Sequence, residues 1–362
     1  MNEMVMQEKF ADPVRPMRLG FLGVGWIGRH RMQAILNSGA AQVVAIADSS
    51  ENVAREAADL APGAKIVENL DALLAEDIDG VVIATPSAQH AEQSIRALYA
   101  GMAVFCQKPL GRTSHEVRAV IDAAKAADRL LGVDLSYRHT QAMRRIRELV
   151  RGGELGHVFA ADLTFHNAYG PDKPWFYDKA LSGGGCMMDL GIHLIDLALW
   201  VLDFPEVESV ASHIMSGGQA LDPASPHVED YGLATLMLKT GTVVRLACSW
   251  RLQAGCEAII EANFFGTNGG VSMRNVGGSF YDFTADRFAG TSCERLVDPP
   301  DYWGGRSAIA WARRLASDRG FDAKCERFAN AAQVLDEIYA RRGNGRNAVS
   351  AKQTTITGRN KE

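Results

Sequence analysis

Gly23-Val24-Gly25-Trp26-Ile27-Gly28 lies directly behind one apolar run, MRLGFLG (17–23), and directly ahead of a helical pattern. Few folds accept that arrangement. A G-x-G-x-x-G at a strand-to-helix junction gives a tight turn, a close approach of backbone to an anion, and close packing of helix on strand. The anion would lie over the helix N-terminus, where free N–H groups point outward. A second apolar run, QVVAIAD, ends in Asp48, about 20 residues beyond the loop. A carboxylate there accepts hydrogen bonds from ribose hydroxyls and repels a 2′-phosphate. Gly23, Gly25, Trp26, Ile27, Gly28 and Asp48 are therefore candidate dinucleotide contacts. Ser49 and Ser50 follow, with no Arg or Lys beside the acid, so NAD is expected and NADP is less favoured. The bland alternatives are a sharp turn without a ligand and an Asp48 that only caps the next helix.

The runs DGVVIATP, MAVFCQKP and LLGVDLSY alternate with helical segments, among them SAQHAEQSIRALYAG and TSHEVRAVIDAAKAAD. Ser87 is an expected N-cap and Gly101 an expected C-cap. Strands apolar throughout are those covered on both faces. The fold class is α/β: an N-terminal Rossmann doubly wound domain over 17–136, then a C-terminal α+β domain with a mostly antiparallel sheet over 137–345. A chain of 362 residues suits two domains. In the second, SGGG opens a helix through MMDLGIHLIDLALWVL, LKTGTVV reads as a hairpin, and ANAAQVLDEIYARRG as a late helix packing back on the first domain.

The balance of 38 basic against 43 acidic side chains, net charge −5, leaves no footprint for nucleic acid. Six cysteines with no CxxC pair point to a reducing compartment. Charges break up the N-terminal MNEMVMQEKFADPVRPMRLG, so it reads as a loose arm or strap and not a signal peptide. Apolar stretches are expected to fall short of a membrane span. A cytoplasmic protein is the expectation.

Cys106-Gln107-Lys108-Pro109-Leu110 ends a predicted strand, at the edge where open α/β sheets bind ligands. Asp189 and His193 are i,i+4, and His193 and Asp196 are i,i+3, so all three can share one helical face among Leu, Ile, Met and Trp. Buried charges at that density need a reason, either chemistry or a local Asp–His pair that fixes the helix. No third ligand has convincing spacing for zinc, so no metal is expected. Trp175, with Phe176 and Tyr177, could line a sugar-facing wall or close the core, and Arg306 could reach substrate.

GFLGVGWIGRH, FCQKPL and MMDLGIHLIDLALW, in that order, make the chain similar to the Gfo/Idh/MocA oxidoreductases, the glucose–fructose oxidoreductase and inositol dehydrogenase family, from about residue 17 to about 345. The resemblance implies an NAD-dependent dehydrogenase acting on CH–OH groups, with a secondary alcohol of a sugar, inositol or related polyol as substrate. It implies Lys108, Asp189 and His193 as the catalytic trio, Lys108 also touching cofactor and substrate. ATPSAQH resembles the segment beside the nicotinamide, making Thr85, Pro86 and His90 cofactor contacts; SYRHT makes Arg138 a substrate contact, joined by Trp175. A homodimer or homotetramer through the apolar sheet face is also implied. Gln107 stands where the family usually has Glu and removes a charge next to Lys108. The competing readings are a non-polyol NAD(P)-dependent reductase such as a dihydrodiol dehydrogenase, and a nicotinamide-binding regulatory protein without catalysis.

Overall fold

The computed structural model describes residues 16–222 and 225–340. The N-terminal arm expected over 1–15, and residues 341–345, lie outside the described residues. The first domain alternates β1 (Arg18–Leu22), α1 (Trp26–Ser38), β2 (Gln42–Ala47), α2 (Glu51–Ala58), β3 (Lys65–Ile66), α3 (Leu70–Leu74), β4 (Gly80–Ile83), α4 (Ser87–Tyr99), β5 (Ala103–Cys106), α5 (Ser114–Ala127) and β6 (Leu131–Val133). Its strands run parallel in the order β3-β2-β1-β4-β5-β6. Strand order reverses at β1 and β4, which opens a crevice at their carboxyl ends. Every residue of β4 and β5 is buried, as expected for strands covered on both faces.

Local signals set the helix ends. The Thr113 hydroxyl accepts from the Glu116 N–H and starts α5. Ser87 is not the cap of α4: Pro86 holds that place, its ring fixing φ at −60°, and Ser87 is the first helical residue and buried. Gly101 sits one residue past the Ala100 cap in the left-handed conformation, φ 85°.

The second half continues with α6 (Gln141–Arg151), β7 (Val158–Asn167), α7 (Lys179–Ser182), α8 (Ile192–Val201), β8 (Val207–Ser216), β9 (Gln219–Ala220), β10 (Tyr231–Leu238), β11 (Val243–Ser249), β12 (Ala258–Gly266), β13 (Gly269–Asn275), β14 (Phe283–Ala289), β15 (Ser292–Val297), α9 (Arg306–Ser317) and α10 (Phe328–Ala340). The sheet order is β15-β14-β13-β12-β7-β11-β10-β8-β9, antiparallel except where β7 meets β11. Alternate residues such as Leu163, Phe165, Leu236 and Phe264 are buried in the core that the sheet shares with α6 and α8. Sequence patterning misses β14 and β15: β15 is an edge strand with four exposed residues, and β14 carries Asp286-Arg287 in mid-strand. The run Lys179–Val201 is long and apolar enough, by length and composition, to cross a membrane, contrary to the expectation from sequence. It is mostly buried inside the domain, so its apolarity is that of a core helix.

The division at residue 137 needs one correction. α9 returns to the first domain, where Ala308, Trp311, Ala312 and Leu315 share a core with Leu19, Phe21 and Phe105. Gly80 and Gly132 make room for it: a Cβ on either would come within 3.0 and 2.7 Å of the Trp311 ring. The intervening antiparallel sheet hides this return from a linear reading. α10 bridges the halves, packing on α5, α8 and β8.

Trp311 is buried and its indole N–H has no acceptor among the described residues. Trp311→Ala should cost about 3–5 kcal/mol. Trp311→Phe removes the unsatisfied donor and should cost less than about 1.5 kcal/mol. Thermal unfolding of both variants checks the order; equal losses would contradict this packing.

Candidate active site

The glycines divide their work as steric need dictates. Gly23 has φ 81°, and a Cβ there would stand 2.7 Å from the Ala84 backbone. A Cβ on Gly28 would stand 2.3 Å from the Gly23 carbonyl oxygen, so close packing of helix on loop requires glycine. A Cβ on Gly25 would meet nothing within 4 Å. Gly25 caps α1 without a side-chain acceptor and lines the cleft, leaving first-turn N–H groups for a pyrophosphate. Asp48 accepts from the Val24 N–H at 2.8 Å and from the Ser50 N–H at 2.9 Å, tying the loop to the end of β2. Ser50, not Asp48, is the cap residue of α2, and Asp48 stands in the cleft wall beside Ser49 and Glu68. Two carboxylates at that end fit an adenosine ribose with free hydroxyls and oppose a phosphate. The residues present therefore fit NAD.

One cleft of about 850 Å³ runs from this loop to the second domain. Trp26, Ile27, Thr85, Pro86, His90, Lys108, Trp175, Asp189 and His193 all line it, as the sequence reading grouped them. The Thr85 hydroxyl donates to Gln93 at 2.6 Å. The His90 ring nitrogens lie 2.7 Å from the Pro109 and Thr85 carbonyl oxygens, so this histidine clamps two cleft segments together; burial lowers its pKa. Trp175 stacks on Phe176, ring centroids 3.8 Å apart, on the second-domain rim.

The reacting end joins both domains. Lys108 Nζ donates to Asp189 Oδ1 at 2.6 Å and to the Asp189 carbonyl at 2.7 Å. Trp250 Nε1 donates to the other carboxylate oxygen at 3.1 Å. Asp189 therefore orients the lysine. His193 is buried, with the Tyr137 ring edge-on at 4.9 Å. Burial first, then the positive charges of Lys108 and Arg31, hold its pKa well below the ordinary 6.5.

Three sequence expectations do not hold. Asp196 does not join the cleft wall: three residues beyond His193 in α8, it is buried and paired with Arg138. Arg138, expected as a substrate contact, consequently does not line the cleft. Its Nε donates to Asp196 Oδ2 at 2.7 Å, a second nitrogen pairs with Oδ1, and the guanidinium lies over Phe204 at 5.3 Å, away from the cleft-lining residues. Arg306 is likewise held by Asp301 and the His139 carbonyl. Residues that sequence reasoning missed are Trp250, Tyr137, Arg31 and Asp134. Tyr137 adjoined the singled-out Arg138, whereas the others carried no motif.

A Rossmann sheet, a glycine loop open to a dinucleotide and a Lys–Asp–His cluster define a nicotinamide-dependent oxidoreductase. Residues 17–135 match the GFO/IDH/MocA model described as "Oxidoreductase family, NAD-binding Rossmann fold", and 143–272 match the family's C-terminal domain. The chain belongs to the GFO/IDH/MocA family. It is 30% identical to D-glucoside 3-dehydrogenase of Escherichia coli (strain K12), over 73% of this chain and 79% of that one. It is 31% identical to inositol 2-dehydrogenase of Rhizobium meliloti (strain 1021), over 72% and 76%. Levoglucosan dehydrogenase in complex with NADH and levoglucosan shares the fold, with TM-score 0.77, 21% identity, and 90% and 97% of the two chains covered.

Gly25→Ala should fill space kept for the pyrophosphate, weakening NAD binding at least about tenfold (roughly 1.4 kcal/mol) with little change in thermal stability. Gly28→Ala should lower stability instead. Calorimetric titration and thermal unfolding separate the two; a Gly25 variant with unchanged NAD affinity would contradict the cradle.

Proposed function

We propose that the protein oxidises a secondary alcohol of a sugar, inositol or related polyol with NAD, that His193 accepts the hydroxyl proton, and that Lys108 holds the same oxygen. The observation that carries this reading is the Lys108–Asp189 ion pair, made across the domain boundary, on the same cleft as a buried histidine of lowered pKa. NAD, when bound, supplies the acceptor for the hydride leaving the carbinol carbon. Lys108 commits two donors to Asp189 and retains a third for the substrate oxygen. Its charge stabilises developing alkoxide character and keeps His193 unprotonated, ready to act as base. Trp175, Phe176 and Tyr281 face the cleft with Asn167 and Asp172, a mix suited to a ring with one apolar face and a hydroxylated edge. The glucoside and inositol dehydrogenases among its relatives support that substrate class. Retention of the trio disfavours a purely regulatory role, and the hydrogen-bonding lining disfavours a non-polyol substrate.

Assembly as a homodimer or homotetramer is part of the same proposal. Leu233, Met237, Val243 and Ile259 lie on the sheet face opposite the helices and are half-buried or exposed. Free cysteines, four of the six buried, support a cytoplasmic setting.

His193→Ala should lower kcat for NAD-dependent oxidation by roughly 10²–10⁴-fold with NAD affinity within a few-fold. The sign of the pH dependence follows from the lowered pKa: the base stays deprotonated until the pH falls below 6.5, so the acid limb of wild-type kcat/KM should lie below that value. A steady-state screen over polyols and aldoses, then a pH series on the best substrate, checks both. Near-wild-type turnover by the alanine variant would contradict the assignment.

A further inference from the structure

Beneath Lys108 lies a second buried ionic cluster. Arg31, on the cofactor-loop helix α1, donates from Nε to Asp134 Oδ2 at 2.6 Å; Asp134 follows β6. The Gln107 amide donates to the same oxygen. Arg31 also approaches His30 Nδ1 at 2.9 Å. Arg31, Gln107 and Asp134 are all buried and all line the cleft. Asp134 Oδ1 is buried without a donor among the described residues. A buried ion pair left half-satisfied is a poor structural link, because apolar packing would hold three elements together at less desolvation cost. Its place explains it better. Gln107 precedes Lys108 in the chain and brings no charge, while Asp134 puts a carboxylate one hydrogen bond away.

We propose that Asp134 and Arg31 are a positioning pair for the reaction: Asp134 holds the Gln107 amide beside Lys108 and pairs with Arg31 in the wall of the cleft that His193 also lines. This rests on the reading of His193 as proton acceptor. Lys108 from the end of β5 and Arg31 from α1 are the charges that act on His193, the Tyr137 ring packs against it, and Asp134, from the segment after β6, Asp189, from the turn before α8, and Tyr281, from the loop before β14, line the same cleft. Asp196, further along α8, is occupied by Arg138. Removing one member of the pair exposes the charge of the other, so the two removals act on His193 with opposite sign.

The test is the pH profile of kcat/KM for NAD-dependent oxidation by the full-length enzyme. Asp134→Asn leaves Arg31 unbalanced, makes His193 harder to protonate, and should move the acid limb to lower pH by about half a unit or more. Arg31→Gln leaves the Asp134 carboxylate unbalanced and should move the limb up by a similar amount. Shifts of one sign in both, or no shift in either, overturn the proposal. Gln107→Glu covers the case in which a charge deletion does not fold: it keeps every existing charge, adds a carboxylate to the cluster, and should raise the limb. An unmoved limb there overturns the proposal as well. His193→Ala separates the two layers of the reading: an acid limb persisting in that variant sinks the His193 assignment itself, whatever the pair does.

Discussion

The Lys108–Asp189 contact joins the two halves of the protein at the point where chemistry occurs. Lys108 comes from the end of a parallel strand, Asp189 from the turn before a helix in the other half, and 81 residues separate them. Two of the three ammonium hydrogens meet one residue, through its carboxylate and its carbonyl, so the lysine is fixed relative to both side chain and backbone. A partly buried charge pair is tolerable only when its remaining valences are met. Trp250 meets the second carboxylate oxygen, and the third lysine hydrogen is left for the cleft. Removing either charge would strand the other, which makes the pair a geometric reference and a liability at once.

The turn bearing Asp189 is itself held from behind. Glu229 is buried, and its Oε1 accepts from the Gly185 and Met187 N–H groups and from the Tyr339 hydroxyl. Burial raises its pKa while these donors pull it down. A Cβ on Gly185 would stand 1.9 Å from the Glu229 carbonyl oxygen, so only glycine lets the two segments meet. Tyr339 belongs to α10, which also packs on α5 of the first domain. The path from the Rossmann helices to the site turn therefore runs through one helix near the end of the described chain, and the cleft is shaped from both sides.

Much of this was legible in the sequence where short-range periodicity carries the information. The glycine loop, Asp48 and the fully apolar strands announce the first domain because a strand covered on both faces must be apolar at every position. Lys108, Asp189 and His193 stood out as polar groups that packing explains poorly. What stayed hidden depends on contacts distant in sequence. Trp250 looks like any strand-end aromatic until Asp189 is placed beside it. Arg138 and Asp196, each suspicious alone, satisfy each other. Arg31 and Asp134 are 103 residues apart and share no motif. The return of α9 to the first core turns on two glycines in β4 and β6 whose missing side chains leave room for Trp311.

If the lysine works because the aspartate holds it, the two are one functional unit and their losses cannot add. A double-mutant cycle on kcat/KM with Lys108→Met, Asp189→Asn and the combined variant measures this directly. The account predicts strong non-additivity, with the double variant no slower than about the slower single variant. Multiplication of the two single losses in the double variant would contradict it.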